Sequence, residues 1–169
     1  MIPLITRYDI EQYRQISKTS GKVSDDILNQ SILDAQIVDV QPLVGSDFFN
    51  DILRNVLNYQ SLLDGGDYTY KNKTYSNYGL KAVIVFYAYS RYVMFGSTVG
   101  TQYGFMEKLN NESQHIDINM KKSVSKSNEK IAFNYWQNVK LYLDRNKDLY
   151  PEYKNGCNLN NKFRISIIE

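Results

Sequence analysis

The whole chain has one cysteine and one histidine, Cys157 and His115. A lone cysteine closes no internal disulfide, so nothing here calls for an oxidising compartment. Neither residue stands at metal-ligand spacing from a second His or Cys. Glycine-rich phosphate cradles are missing too. Gly96, Gly100 and Gly104 lack the Lys-Ser/Thr that completes a P-loop, and they do not match the dinucleotide fingerprint. An excess of one charge is also absent: 20 basic side chains face 18 acidic ones, a net of +2. That balance excludes a chain-wide affinity for polyanions and leaves room only for a local basic face. The longest apolar run, Ala82 to Tyr89, lies between Lys81 and Arg91 and is too short to span a bilayer. The opening residues MIPLITRYDIEQYRQ meet charge at Arg7 and Asp9, without the basic start and apolar run of a secretory signal. These absences lead us to expect a soluble protein made in a cytoplasm, with no cofactor and no membrane partner.

What the chain does have is tyrosine, 15 residues of it, and several amphipathic stretches. A length of 169 residues fits one domain with a real core. Residues 1–22 read as an extended arm, because Pro3 opposes an early helix and Thr19-Ser20-Gly21 is loop chemistry. Ser24 offers an N-cap, with Asp25 and Asp26 in the first turn of a helix. Its apolar side is Ile27, Leu28, Ile32, Ala35 and Val38, and Pro42 and Gly45 end it. A second helix starts at Ser46 or Asp47 and runs through Phe48, Ile52, Leu53, Val56, Leu57 and Leu63. Tyr68-Thr69-Tyr70, a Lys71-Asn72-Lys73 turn and Thr74-Tyr75 predict a short hairpin, which two strands alone do not stabilise. Leu80 to Phe95 is apolar on nearly every side, so it belongs at the centre of the bundle. The glycines at 96, 100 and 104 predict a loop or irregular excursion, and residues 107–119 a loop or short edge strand. A long helix is expected from Met120 to Asn146, with Val124, Ile131, Trp136, Val139 and Leu143 at helical spacing. Phe163, Ile165 and Ile167 alternate with polar residues, the signature of a terminal strand.

The expected fold is therefore mainly α. It is a bundle of about four helices with a short β-hairpin, an extended N-terminal arm and a C-terminal strand. The divisions are an arm over 1–22, a helical domain over 23–154 with the hairpin at 66–76, and a tail or strand over 155–169. No reaction centre emerges. His115 lacks a recognisably spaced partner for base catalysis, and Cys157 has no nearby histidine. Asp25-Asp26 suit a helix start and Asp64/Asp67 suit turns better than they suit a metal. Two surfaces remain. Tyr68, Tyr70, Tyr75 and Tyr78 form either the outer skin of a hairpin packed on its own domain or an interface patch, and composition does not choose between them. Lys122, Lys126 and Lys130 stand four apart and share one helix face, where they suit non-specific contact with DNA phosphates. A merely solvated face is the plainer reading of that row, because the domain as a whole is not strongly basic. In YAYSRY (Tyr87 to Tyr92), a core segment, Arg91 needs a carboxylate or carbonyl partner if buried.

Four segments carry a resemblance: the arm plus the DDIL opening helix (Tyr8 to Leu28), DVQPLVGSDFFNDIL (Asp39 to Leu53), YTYKNKTYSNYGLKAVIVFYAYSRYVMFG (Tyr68 to Gly96), and TQYGFMEK (Thr101 to Lys108) followed by a helix carrying NYWQNVKLYLDRN. Together they cover most of the chain. In this arrangement it resembles the head–tail connector, or adaptor, proteins of tailed bacteriophages, in the form found in crAss-like phages of Bacteroidetes. None of the four is a catalytic signature. The resemblance implies a non-enzymatic virion protein of the neck, assembled in the host bacterial cytoplasm. It implies a homo-oligomeric ring, usually twelve-fold, between the portal protein and the tail or next connector ring. DNA would pass through the lumen without sequence-specific binding. Arms, hairpins and terminal strands of such proteins pair with neighbours, which makes Tyr68, Tyr70, Tyr75, Tyr78, Phe163, Ile165 and Ile167 interface candidates. The alternative is a small helical DNA-binding or packaging-accessory protein that uses Lys122, Lys126 and Lys130.

Overall fold

A computed structural model describes residues 2–16, 22–96, 98–101, 104–107 and 117–154, with side chains from Asp25 within the second segment and none in 98–107. The chain is mainly helical. Its elements are α1 (Arg7–Glu11), α2 (Lys22–Asp34), a π turn (Ala35–Val40), α3 (Gln41–Val44), α4 (Ser46–Arg54), a 3-10 turn (Val56–Tyr59) and α5 (Gln60–Leu63). Then follow β1 (Gly66–Tyr70), β2 (Lys73–Asn77), α6 (Leu80–Phe95), β3 (Thr98–Thr101), β4 (Gly104–Glu107) and α7 (Ile118–Arg145). The strands form two separate antiparallel pairs, β1 with β2 and β3 with β4.

The apolar helix α6 sits at the centre, as its all-round hydrophobicity requires. It packs against α1, α2, the π turn, α5 and α7. Leu80, Val83, Ile84, Val85 and Ala88 are fully buried. Arg91, near its end, meets the carboxylate that its position demands. Its Nε and Nη2 donate to the two Asp39 carboxylate oxygens at 2.7 and 3.0 Å. That bidentate bond raises the Arg91 pKa further.

The extended-arm expectation is corrected for the described residues 2–16. Thr6 and Asp9 make a capping box that starts α1. Leu4, Ile5, Ile10 and Ile16 are buried in the main core. The side chain of Gln36, itself buried, accepts from the Leu4 N–H at 2.6 Å and so satisfies backbone that runs through apolar surroundings. Arg14 lies over the Phe86 ring and donates to Asn128. Pro3 does oppose helix, but only for the first few residues.

Further departures concern how helices end. Pro42 does not stop the helix expected from Ser24. The π turn shifts the ladder, so that the Gln41 N–H bonds Gln36 O, five residues back, just before the residue that has no N–H. Helical structure then continues to Gly45. The same shift rotates the apolar pattern: Val40 is buried while Val38 is 57% exposed. The residue before α4 is Gly45 (φ 91°), so neither Ser46 nor Asp47 acts as its N-cap. The expected single helix from there to Leu63 breaks at Asn55, whose amide donates to Asp51. Leu57 consequently swings out to 80% exposure. The glycine-rich stretch after α6 forms the β3–β4 ladder, in which Gly100 pairs with Phe105 and Gly104 with Thr101. The glycines mark its turn end and do not exclude a strand. The long helix spans Ile118–Arg145, with Trp136, Val139 and Leu143 buried as expected; Val124 is exposed and Ile131 half-buried.

Candidate assembly surface

The hairpin forms because Lys71 and Asn72 both adopt positive φ, 49° and 61°. Two such residues make the tight turn whose twist matches the strands. The turn is therefore Lys71-Asn72, and Lys73 belongs to β2 opposite Tyr70. Its base is fixed by a backbone crossing. Gly65 and Gly79 both have φ 83°, and a Cβ on Gly79 would lie 2.6 Å from Leu63 O and 2.9 Å from Gly65 N. Only glycine fits such an approach. The buried Asn77 locks the same point, donating to Ser61 O at 2.8 Å and accepting from the Gly79 N–H at 3.1 Å.

The register puts Tyr68 opposite Tyr75 and Tyr70 opposite Lys73, all on the face turned to α7. Asp67, Thr69, Thr74 and Ser76 occupy the other face, and all four are exposed. Tyr68 stacks on Tyr75 at 5.8 Å and meets Tyr142 of α7 edge-on at 4.9 Å. Arg145 clamps the group: its guanidinium lies 3.9 Å from the Tyr75 ring centre and 5.1 Å from that of Tyr70. It also donates to the Tyr68 hydroxyl at 2.9 Å. Cation–π attraction of this kind holds the hairpin to the helix. Of the two readings the sequence left open for the tyrosines, the packed one describes Tyr68 and Tyr75, while Tyr70 is half-buried under Arg145. Tyr78 is 52% exposed and touches Tyr135.

No spacing in the chain announces what continues this cluster. Tyr142 and Tyr150 share a hydroxyl–hydroxyl bond of 2.9 Å. Tyr150 stacks on Tyr59, and both rings meet Phe48, as does Tyr153. An aromatic chain thus runs from α4 to the hairpin. Burial pushes the Tyr59 phenol up to about 12, helped by its hydrogen bond to Asp51. Burial and the bond to Tyr142 push the Tyr150 phenol up as well. Scattered tyrosines with no periodicity of their own converge here only through tertiary packing.

The hairpin's two edges differ. Pairing Tyr70 with Lys73 across a two-residue turn directs the backbone groups of Asp67 and Thr69 outward from β1 and those of Thr74 and Ser76 outward from β2. On β2, Asn138 of α7 stands in for a neighbouring strand. Its amide donates to Ser76 O at 3.0 Å, and its oxygen accepts from the Tyr78 N–H at 2.9 Å. On β1, no described group bonds the outward backbone of Asp67 or Thr69. Among the described residues the edge of β1 is thus open.

The lysines lie elsewhere. Lys122, Lys126 and Lys130 are all exposed on the first half of α7. Asp25 pairs with Arg7, Asp64 with Lys81, and Asp67 accepts from Ser76, so the acidic pairs have electrostatic and turn roles. Among the described residues no cluster of three or more His, Cys, Asp or Glu is placed to hold a metal. A shallow cavity of about 270 Å³ is lined by Asp9, Tyr13, Asp64, Tyr78 and Lys81, among others, and its one ion pair is already satisfied. No described helix is long and apolar enough to cross a membrane. His115, Cys157, Phe163, Ile165 and Ile167 lie outside the described residues.

Compared with known proteins, residues 40–162 match the profile of a family of unknown function (DUF6712). The matched span runs from the π turn through the hairpin, α6 and α7. No curated protein and no solved structure matches.

Proposed function

From the premise that the chain belongs to this family of unknown function, DUF6712, we propose that it is a structural subunit of a virion: a non-enzymatic member of a head–tail connector ring, joining portal to tail around the DNA channel. One observation carries the reading. The hairpin is held on α7 by Tyr68, Tyr75, Tyr142 and Arg145, yet among the described residues one strand edge stays open while Asn138 occupies the other. A fixed edge with one free side suits strand addition, in which backbone bonds supply affinity and alternating side chains supply register. In a ring that contact is heterologous, so the edge of one copy meets a different segment of the next. The period-two segment Phe163, Ile165 and Ile167 has the pattern such a partner strand needs. The resemblance of the four sequence segments to phage connectors supplies the rest of the reading.

The test is assembly. Native mass spectrometry and electron microscopy of the full chain, alone and in purified particles, should find a closed ring. Deleting residues 162–169, or replacing Phe163 and Ile165 with lysine, should abolish ring formation and leave the thermal unfolding of the monomer unchanged. A truncated chain that still enters complete particles removes the terminal strand from the scheme. A chain absent from purified virions ends the connector reading. The rival, a small DNA-binding or packaging-accessory protein, draws on the exposed lysine face of α7.

A further inference from the structure

Many of the described cations of this protein have a partner. Arg7 pairs with Glu11 and Asp25, Lys81 with Asp64, Arg91 with Asp39 and Lys140 with Asp144, while Arg14 and Arg145 lie over aromatic rings. Among the described residues Lys122, Lys126 and Lys130 meet no such partner, and they lie in one row. Helical spacing places exposed Asn119, Ser123, Ser127 and Asn134 beside them, all able to donate a hydrogen bond, together with the exposed ring of Phe133. Glu129 is the sole carboxylate between Ile118 and Asn134. It is exposed at the edge of the lysine row nearest α6 and accepts from Ser90 Oγ at 3.2 Å. The opposite side of the helix is already used, with Ser125, Asn128 and Ala132 buried.

We propose that this face of α7 binds the phosphate backbone of duplex nucleic acid without reading its bases. The row from Lys122 to Lys130 rises about 12 Å along the helix. Duplex DNA presents one charge per ~1.7 Å of axis, so roughly seven phosphate charges pass that length. Three lysines do not select among them, and neither serine nor asparagine here is backed by a base-reading framework, so the contact slides. The inference does not depend on the connector reading; a channel-lining subunit and a free DNA-binding protein would both use it. Fluorescence anisotropy of the full chain with a labelled duplex of mixed sequence, titrated with salt, tests it. The expected slope of log affinity against log salt is about −2.7, three contacts at ~0.9 each. A variant carrying Lys122→Gln, Lys126→Gln and Lys130→Gln should lose more than about tenfold in affinity near 50 mM salt and most of that slope. A control carrying Lys71→Gln, Lys73→Gln and Lys147→Gln should keep both. Circular dichroism confirms that each variant folds. The proposal is overturned if the wild-type chain fails to bind at low salt. Equal losses in the control overturn it too, as does competition by poly-glutamate or phosphatidylserine vesicles as effective as by unlabelled duplex.

Discussion

The two halves of α7 wear different coats. From Tyr135 to Arg145 the helix is wrapped: Trp136, Val139, Tyr142 and Leu143 are buried, and the hairpin and the Tyr150 turn close over them. From Ile118 to Lys130 it rests on one side only, where Ser125 and Ser90 share a hydroxyl contact of 2.7 Å, and its far side exposes the lysines along with Ile118, Met120 and Val124. The contrast separates two kinds of conspicuous residue. Tyrosine abundance at the wrapped half is explained by the fold of a single copy. The lysine row at the bare half is not explained by folding at all, which is why it carries a prediction about a partner.

The sharpest way to break this contrast is to strip the wrapped half. Tyr142→Ala removes a buried ring that touches Tyr68 and Tyr150 and the hydroxyl bond to Tyr150. Loss of a large buried aromatic costs about 3–5 kcal/mol. Chemical denaturation should show a fall of that size, while the triple lysine-to-glutamine variant of the bare half stays within about 0.5 kcal/mol of wild type. Equal losses in the two halves would mean that the lysines are structural after all.

A smaller effect tests whether the hairpin is an integral part of the wrapping. Gly79→Ala forces a left-handed backbone on a residue with a Cβ and drives that Cβ against Leu63 O and Gly65 N. Backbone strain of this sort costs about 1–3 kcal/mol. Hydrogen exchange should show the β1–β2 amides losing protection first, with the first half of α7 unchanged. Uniform loosening across the chain would instead make the glycine crossing a pillar of the whole core.

Much of this was legible before any coordinates. The bounds of α6 follow from a mostly apolar segment between Gly79 and Gly96, and the carboxylate partner of Arg91 follows from the expense of burying an unpaired guanidinium. The hairpin follows from Tyr-Thr alternation around a polar turn. What escaped is tertiary in origin. The π turn that buries Val40 in place of Val38 responds to Pro42 in a way that the 3.6 period does not announce. Residues 2–16 fold back because Gln36, thirty-odd positions away, satisfies their backbone. Asn138 as a surrogate strand has no signature at all: an asparagine in mid-helix reads as neutral until a strand edge arrives beside it.

The smallest effect concerns the far end of the aromatic chain and is read through pH. Tyr59 titrates near 12 in the folded chain, against an ordinary value of 10.0, because it is partly buried and donates to Asp51. Above the ordinary value the unfolded chain releases this proton first, so unfolding becomes progressively easier. The stability tied to the neutral phenol is fully present below pH 10 and is lost as pH rises toward about 12. Tyr59→Phe keeps the ring against Phe48 and Tyr150 but removes both the bond and the titration. Urea midpoints should therefore place the variant below wild type at pH 8, and the gap should narrow by pH 11. A gap that stays constant across that range would show that Tyr59 ionises with the same ease folded and unfolded, and that the wrapped half of α7 shields its phenols less than their packing requires.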